Sequence, residues 1–438
     1  MIKTENPRLI GLVTAISLVM ANMIGTGVFT SLGYQAIAIQ SSFVLLFLWF
    51  VGGIYALCGA LSYGELAAAM PRSGGEYHYL SRIYHPAVGF LSGWVSVTVG
   101  FAAPIALAAI AFSQYVNAVF TAIPAQPLAL IAVVVISLIH TRNLKVGSQF
   151  QDSFTLLKII LIVIFIICGL LLAKPQPLDL IPNTDSVNQI FSSSFAISLA
   201  YVTYSYSGWN AAIYPAGEVK NPEKNLPRSL LMGTAIVMLL YLLLNFVFLY
   251  ATPFDSIQAL EEKEKIAALA AQYIFGPVGG KIISLLIAFG LISTISAMVW
   301  AGPRVTQVIG EDIPFFQLLA RKNSRGIPDY AILLQLIIVL VLLITSSFDD
   351  VVTYLEFTLI LSSFFTVLGV FIHRWRYPNI ALPYRTWGYP FTPIVFLGIS
   401  LWVLVFIFTG RPYQSLAGLF TIFLGLPVYF LASRNKLA

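Results

Sequence analysis

The chain has 438 residues, of which 58% are hydrophobic and only 10% carry a charged side chain. A water-soluble fold of this size needs far more charge to cover its surface, so the composition excludes a soluble protein and predicts an integral protein of the lipid bilayer. The net charge of +6 lies in short loops between apolar segments and is therefore not a signal for nucleic-acid binding.

Twelve apolar segments are predicted to span the membrane as helices, because a bilayer core requires roughly 20 helical residues. They lie at about 9–39, 42–70, 87–120, 127–141, 149–173, 189–217, 226–252, 280–310, 328–347, 350–373, 390–409 and 413–433. The first segment is too long for a cleavable signal peptide, so we expect it to be retained. No separate soluble domain is expected. The prediction is a single all-α membrane domain of twelve transmembrane helices.

The basic residues predict the orientation of these segments. Most of the 24 Lys and Arg residues fall in loops and tails on one side, including Lys3 and Arg8 before the first segment. Loops rich in Lys and Arg face the cytoplasm, so both termini are predicted to be cytoplasmic. The expected location is the plasma (inner) membrane.

Two loops are predicted to contain structure. The segment from Pro71 to Pro86 is rich in aromatic residues and Gly, and it predicts a short helix at the inner mouth. The outer segment from Pro253 to Val278 has a charged start followed by an apolar helical pattern. Each segment is interpreted either as an interfacial helix or as a gate over the transport path.

The first apolar segment is interrupted by Gly25-Thr26-Gly27. Glycine lets the chain leave helical angles, and the half-helix that restarts after the break presents unpaired N–H groups with a partial positive charge. Such a helix end binds anions, here a carboxylate. The hydroxyl of Thr26 adds a further donor.

The sixth segment is interrupted at Ser207-Gly208, in the run Tyr204 to Asn210. The half-helix that ends there leaves carbonyl groups without partners, and these can accept hydrogen bonds from an ammonium group. Matching breaks in the first and sixth segments each open a five-helix block, which is the best sequence pointer to a transporter's binding site. Together they suit a zwitterion. The alternative is a pair of kinks without a ligand, since Gly is common in membrane helices.

Lys158 lies inside the fifth predicted segment, followed by fifteen uncharged residues to Ala173. An ammonium group inside a span is expensive and usually functional. We expect Lys158 to contact carbonyls freed near Gly25 and a hydroxyl of Ser293 or Ser296 in the eighth segment. It would act there as a fixed or protonatable cation. The alternative is snorkelling to the cytoplasmic interface.

Other ionisable residues are weaker candidates. Glu65 and Asp152 lie near inner span ends and are expected to pair with loop Arg residues. Glu356 lies about two turns into the tenth segment, where a proton site, an acidic lining for a cationic side chain and a structural hydrogen bond are all open interpretations. The cysteines Cys58 and Cys168 are read as buried apolar residues, and no cofactor or metal site is expected.

At this point the residues resemble the amino acid–polyamine–organocation (APC) superfamily of secondary transporters. The run Ile24-Gly25-Thr26-Gly27-Val28-Phe29 is similar to its first-helix signature. The resemblance continues over Ser207-Gly208-Trp209-Asn210, Gly217 to Arg228, Lys158, Gly302-Pro303-Arg304 and Leu382-Pro383-Tyr384-Arg385. It spans nearly the whole chain.

The resemblance implies a leucine-transporter-type fold of two inverted five-helix repeats, at about 9–173 and 189–373, with two extra helices at about 390–433. It implies that the backbone at Gly25, Thr26 and Gly27 holds an α-carboxylate. The carbonyls of Tyr204, Ser205 and Ser207 would hold the α-amine, with Tyr204 also in the place of the aromatic gate. Asn210 would be a pocket residue as in the L-type branch, which often exchanges neutral amino acids, and Lys158 would replace the cation of sodium-coupled relatives.

The sequence therefore predicts a secondary carrier of amino acids, most of all neutral L-amino acids, working by alternating access through exchange or proton symport. A carrier of cationic amino acids or polyamines that uses Glu356 is the alternative within transport. A membrane-embedded enzyme would need paired catalytic groups in a span, and no such motif is found. A channel would require a pore lined by rings of polar or charged groups. The expected partners are an amino acid, protons under the symport alternative, and lipid; the sequence names no partner subunit.

Overall fold

The computed structural model describes residues 10–142 and 145–434, and for residues 145–154 and 434 the backbone alone. Within these residues the fold is all-helical, with one isolated backbone bridge between Ile10 and Val219. The α-helices, in chain order, are α1 Leu12–Met23, α2 Gly27–Ala38, α3 Ser42–Ala69, α4 Glu76–Ile83, α5 Pro86–Val95, α6 Ala102–Asn117, α7 Ala125–His140, α8 Lys145–Leu172, α9 Thr184–Ile190, α10 Ser193–Tyr206, α11 Pro222–Ala251, α12 Phe254–Gln258, α13 Ile266–Asp312, α14 Gln317–Ala320, α15 Asp329–Thr345, α16 Phe348–Arg376, α17 Phe391–Gly410 and α18 Pro412–Arg434.

The predicted all-α membrane fold is confirmed. Each of the twelve predicted segments contains an α-helix. Nine helical stretches in the described part of the chain are long and apolar enough to cross a bilayer, and α7 and α15 are shorter apolar helices. The large apolar side chains on the outer surfaces of α7, α8 and α15 are exposed, as helices in lipid require. The division into two repeats and two extra helices stays a prediction.

Several predicted spans are not single straight helices. The third consists of α5 and α6, joined by a π-helical turn at Ser96–Gly100. In α13 the backbone leaves helical angles at Gly276, where φ is +75°, so the membrane segment is preceded by a helical arm. The last part of the sixth span, after Tyr206, forms two 3₁₀ turns at Ala211–Ile213 and Ala216–Glu218 and no α-helix. Gly208 and Pro215 account for this difference from the predicted continuous segment.

Both structured loops are present. The segment from Pro71 to Pro86 contains α4, which packs against α5 and α16. The segment from Pro253 to Val278 contains α12, a 3₁₀ turn at Lys263–Lys265 and the first turns of α13. The 3₁₀ turn packs tightly on α2. A Cβ atom on Gly33 would lie 2.2 Å from the carbonyl oxygen of Lys263.

A buried ion pair connects the end of α3 to the end of α16. The carboxylate of Glu65 is fully buried and accepts two hydrogen bonds from the Arg374 guanidinium, at 2.7 and 2.6 Å. The Thr386 N–H and hydroxyl donate to the same carboxylate. The predicted pairing of Glu65 with an Arg is therefore confirmed. The side chain of Asp152, and the tail with Lys3 and Arg8, lie outside the described residues.

Candidate functional site

The first break is a three-residue interruption between α1 and α2. The N–H of Gly25 donates to the Met23 carbonyl at 2.8 Å, and the N–H of Phe29 donates to the Thr26 carbonyl at 2.9 Å. Within the described residues, the N–H groups of Thr26, Gly27 and Val28 have no acceptor. Of the three predicted carboxylate donors, Gly25 is therefore already used, while Thr26 and Gly27 remain free at the start of α2.

The carbonyl groups that end α1 have partners. The Tyr241 hydroxyl on α11 donates to the Met23 carbonyl at 2.6 Å. The ammonium group of Lys158 on α8 donates to the Ile24 carbonyl at 3.2 Å. Among the described residues, the first break therefore leaves the N–H groups of Thr26 and Gly27 unpaired, while the carbonyls of Met23 and Ile24 are paired.

The second break leaves backbone carbonyl groups unpaired in the described part of the chain. After α10 ends at Tyr206, Gly208 has a φ of +95°, which favours glycine. The Tyr204 carbonyl accepts the N–H of Ser207 at 3.0 Å, and within the described residues no donor contacts the carbonyls of Ser205 and Ser207. Unpaired donors at one break and unpaired acceptors at the other provide complementary ends for a zwitterion.

The two breaks contact each other directly. The hydroxyls of Thr26 and Tyr204 form a hydrogen bond across them. A Cβ atom on Gly27 would lie 2.5 Å from Ser205 Cα, and one on Gly208 would lie 2.8 Å from the carbonyl group of Asn22. Glycine at positions 27 and 208 is therefore required for the close approach of the two segments.

Lys158 is 5% exposed and has two hydrogen-bond acceptors. Besides the Ile24 carbonyl, its Nζ contacts the hydroxyl of Thr294 on α13 at 2.7 Å. The prediction of a hydroxyl from Ser293 or Ser296 was wrong for this contact. Successive residues of a helix point about 100° apart, so Thr294 faces Lys158 while its neighbours face elsewhere.

Ser293 and Ser296 have other surroundings. The Ser296 hydroxyl contacts Nε2 of His140 on α7 at 2.8 Å. The Ser293 hydroxyl is buried and has no hydrogen-bond partner among the described residues. Lys158, Thr294 and Gly25 line a small apolar cavity of about 40 Å³ between α8, α11 and α13. The structure therefore brings Lys158 to the first break, without either predicted serine.

A second cavity, of about 880 Å³, leads from the second break to one face of the protein. Ser207 and Asn210 line it, together with Asn22 at the end of α1. Its inner lining includes polar residues that the sequence analysis did not select: Tyr55, Glu76, His140 and Thr203. Its mouth is lined by exposed charged residues, namely Arg72, Glu311 and Lys322.

Asn210 is oriented by a buried carboxylate. Its side-chain amide donates to Glu76 Oε1 at 3.3 Å. Glu76 also accepts hydrogen bonds from the hydroxyls of Tyr63, Ser92, Ser362 and Ser363. The one sequence signal for this residue is its place in the Gly-rich segment that leads into α4, but its hydroxyl partners come from three other helices.

Near the cavity mouth, two side chains of α4 have shifted pKa values. The Tyr77 hydroxyl donates to Asp312 Oδ2 at 3.0 Å, and burial raises the pKa of Tyr77. Burial, together with the charges of Arg72 and Arg82, lowers the pKa of His78 to about 4. His78 is therefore neutral at physiological pH. Arg72 forms an exposed ion pair with Asp312 at 3.0 Å, which joins the loop before α4 to the end of α13.

The opposite side of the breaks is closed by aromatic rings. Tyr34 stacks on Tyr201 with a centroid distance of 5.1 Å and on Phe348 at 5.6 Å. The hydroxyl of Tyr34 donates to Glu264 Oε1 at 2.5 Å. The hydroxyl of Tyr115 contacts the carbonyls of Phe29 and Glu264, at 2.8 and 2.9 Å. Access to the breaks is thus from the cavity side.

Sequence comparisons give a consistent result. A family model described as amino acid permease matches residues 10–431. The serine/threonine exchanger SteT of Bacillus subtilis is 30% identical over 433 residues, which cover 98% of this chain and 97% of that protein. The b(0,+)-type amino acid transporter 1 of Homo sapiens is 28% identical over 438 residues, covering 98% and 88% respectively. The large neutral amino acids transporter small subunit 2 of Homo sapiens is 28% identical over 436 residues, covering 96% and 80%.

Proposed function

Because the chain belongs to the amino acid permease family, we propose that it is a secondary carrier that moves neutral L-amino acids across the membrane by alternating access, through exchange or proton symport. Its relatives are named as amino acid transporters or exchangers, and they include a serine/threonine exchanger and a neutral amino acid transporter subunit. The proposal adds the substrate class, the site and the mechanism.

The observation that carries the proposal is the pairing of unsatisfied backbone groups at the two breaks. The free N–H groups of Thr26 and Gly27 suit the α-carboxylate, and the free carbonyls of Ser205 and Ser207 suit the α-amine. Neither charge of the amino acid then needs a charged side chain at the site. The Thr26–Tyr204 hydrogen bond and the edge contact of Tyr204 with Phe348, which stacks on Tyr34, support Tyr204 as part of a gate.

In the proposed mechanism, the two breaks are accessible from only one side of the protein at a time. The breaks are reached through the 880 Å³ cavity on one side and are closed by the Tyr34 stack on the other. Alternating access requires this arrangement to be reversed, with the stack opening as the cavity closes. The charged mouth with Arg72 and Lys322 supports a cytoplasmic assignment for the cavity side. On this basis we place the carrier in the plasma membrane with cytoplasmic termini.

Lys158 is proposed as a fixed or protonatable cation that stabilises the broken first helix. Its contact with the Ile24 carbonyl places positive charge beside the break, where sodium-coupled relatives would hold an ion. Its second contact, to Thr294, connects the first break to α13. A change in that contact during the transport cycle would couple helix movement to proton binding under the symport alternative.

The experiment is counter-flow in proteoliposomes containing the purified protein. A panel of unlabelled amino acids is placed inside, and uptake of labelled serine, leucine and alanine is measured with and without a pH gradient. Saturable uptake that depends on internal neutral amino acids supports the proposal. Uptake of arginine or putrescine alone would support the cationic alternative, unsaturable flux would indicate a channel, and chemical conversion of the substrate would indicate an enzyme.

A further inference from the structure

One oxygen of a buried carboxyl group in the cavity has no hydrogen-bond donor in the described part of the chain. Glu356 on α16 is 2% exposed and lines the 880 Å³ cavity. Its Oε1 has no hydrogen-bond partner among the described residues, and no basic side chain there forms an ion pair with it. Leaving a buried acceptor unpaired costs stability, so such a group usually serves a ligand or a movement.

The polar neighbours of Glu356 leave its Oε1 unpaired. Thr203 is within hydrogen-bond range of the carboxyl group, and its hydroxyl also contacts the Ala200 carbonyl at 3.0 Å. Tyr55 and Tyr204 are within electrostatic range of Glu356, and their hydroxyls are paired with those of Ser400 and Thr26 respectively. Because Glu356 lines the cavity, a molecule there that carries a hydrogen-bond donor would satisfy Oε1.

The position of Glu356 relates it to the proposed amine site. Thr203 and Ser207 are four residues apart, and four helical residues rise by about 6 Å. Glu356 beside Thr203 is therefore about one turn of helix from Ser207, whose carbonyl is unpaired among the described residues. An amino acid held at Ser207 reaches this carboxyl group with a side chain only a few atoms long.

We propose that Glu356 is a specificity-determining residue that accepts a hydrogen bond from the side-chain hydroxyl of a small neutral substrate such as serine or threonine. This inference rests on the proposed function and narrows its substrate class. The one-turn spacing suits a short hydroxyl-bearing side chain better than the long chain of lysine or arginine, whose charged head would extend past Thr203. The buried position of Oε1 makes the contact selective, because an apolar side chain leaves the acceptor unpaired.

The test compares substrates that differ by one hydroxyl, namely serine with alanine and threonine with 2-aminobutyrate, in proteoliposome exchange. Wild-type protein is expected to show a KM for the hydroxylated member lower by about tenfold or more. Glu356→Leu is expected to bring the two KM values within about twofold of each other, through a rise in the KM of the hydroxylated member. Glu356→Gln, which keeps an acceptor oxygen in the same volume, is expected to be intermediate. Glu311→Gln, an exposed carboxyl at the mouth of the same cavity, is the matched control and is expected to match wild type.

Equal KM values for both members of each pair in wild-type protein would overturn the inference, and this result needs no variant to fold. It would also be overturned if Glu356→Gln lowered arginine exchange alone, which would mark a cationic pocket. A loss of pH dependence in that variant without a change in substrate preference would mark a proton site and overturn it too. Failure of every amino acid to exchange in wild-type protein would instead refute the proposed function.

Discussion

The hydroxyl of Thr26 on the first broken segment is hydrogen-bonded to the hydroxyl of Tyr204 on the second. Thr26 begins the half-helix with free N–H groups, and Tyr204 belongs to the half-helix with free carbonyls. This contact therefore joins the two halves of the proposed site on the side closed by the Tyr34 stack. It makes Tyr204 a candidate for controlling access from that side.

Replacing Tyr204 by Phe is expected to weaken closure on that side. One hydrogen bond of about 1 kcal/mol is lost, which corresponds to a shift of about fivefold in the open population. The measurement is the rate at which an impermeant thiol reagent, added on the outer side, modifies Ser31→Cys in a background without Cys58 and Cys168. Ser31 is buried against Ser205, so its access reports on this closure. Tyr273→Phe, in which an exposed tyrosine loses only its contact with Ser256, is the control. An unchanged rate in Tyr204→Phe would contradict the gate.

Alanine at Gly27 or Gly208 is expected to disrupt the contact between the breaks. Each added Cβ would lie within 2.8 Å of backbone atoms on the opposite segment, so the segments must move apart at a cost of about 1–3 kcal/mol. Lower thermal stability in detergent and a loss of transport are the expected results. Gly398→Ala on α17, where no atom lies within 4 Å of the added carbon, is the control. Wild-type transport by Gly27→Ala would show that the close approach is dispensable.

Lys158→Ala is expected to lower transport by at least about tenfold while the protein still reaches the membrane. The change removes a charged hydrogen bond from the Ile24 carbonyl and from Thr294, each worth about 1.5–3 kcal/mol. Thr294→Val removes only one of these contacts and is expected to have a smaller effect. Lys174→Ala changes an exposed lysine and serves as the control. Ordinary kinetics and an ordinary pH response in Lys158→Ala would contradict the role given to this residue.

Two ion pairs on the cavity side are expected to differ strongly in their contribution to stability. Glu65 is fully buried, so Glu65→Gln leaves the Arg374 charge without its partner and is expected to cost about 3–5 kcal/mol. Asp312→Asn breaks the exposed pair with Arg72 and is expected to cost about 0–1 kcal/mol. Thermal unfolding of the two variants in detergent makes the comparison. Similar losses in both would mean that burial does not govern these pairs.

The sequence predicted the positions of the helices and of both breaks. Long uncharged runs identify membrane helices because a bilayer accepts little else, and Gly25, Gly27 and Gly208 identify the breaks because only glycine combines free backbone angles with close approach. The sequence also showed that Lys158 lies inside a predicted membrane span. These signals depend only on residues that are neighbours in the chain, so they can be recognised without knowing the three-dimensional structure.

Contacts that depend on helix rotation could not be predicted. Whether Ser293, Thr294 or Ser296 faces Lys158 depends on how α13 packs against α8, and neighbouring positions differ by about 100°. The link between Asn210 and Glu76 joins residues 134 positions apart and is visible only in the assembled structure. The irregular path after Gly208 likewise follows from packing against Asn22.

An experimental structure with an amino acid bound would show whether the two breaks hold the substrate. We expect a carboxylate within about 3 Å of the N–H groups of Thr26 and Gly27, and an amine at the same distance from the carbonyls of Ser205 and Ser207. An amino acid bound elsewhere in the 880 Å³ cavity, with neither break in contact with it, would contradict the proposed site.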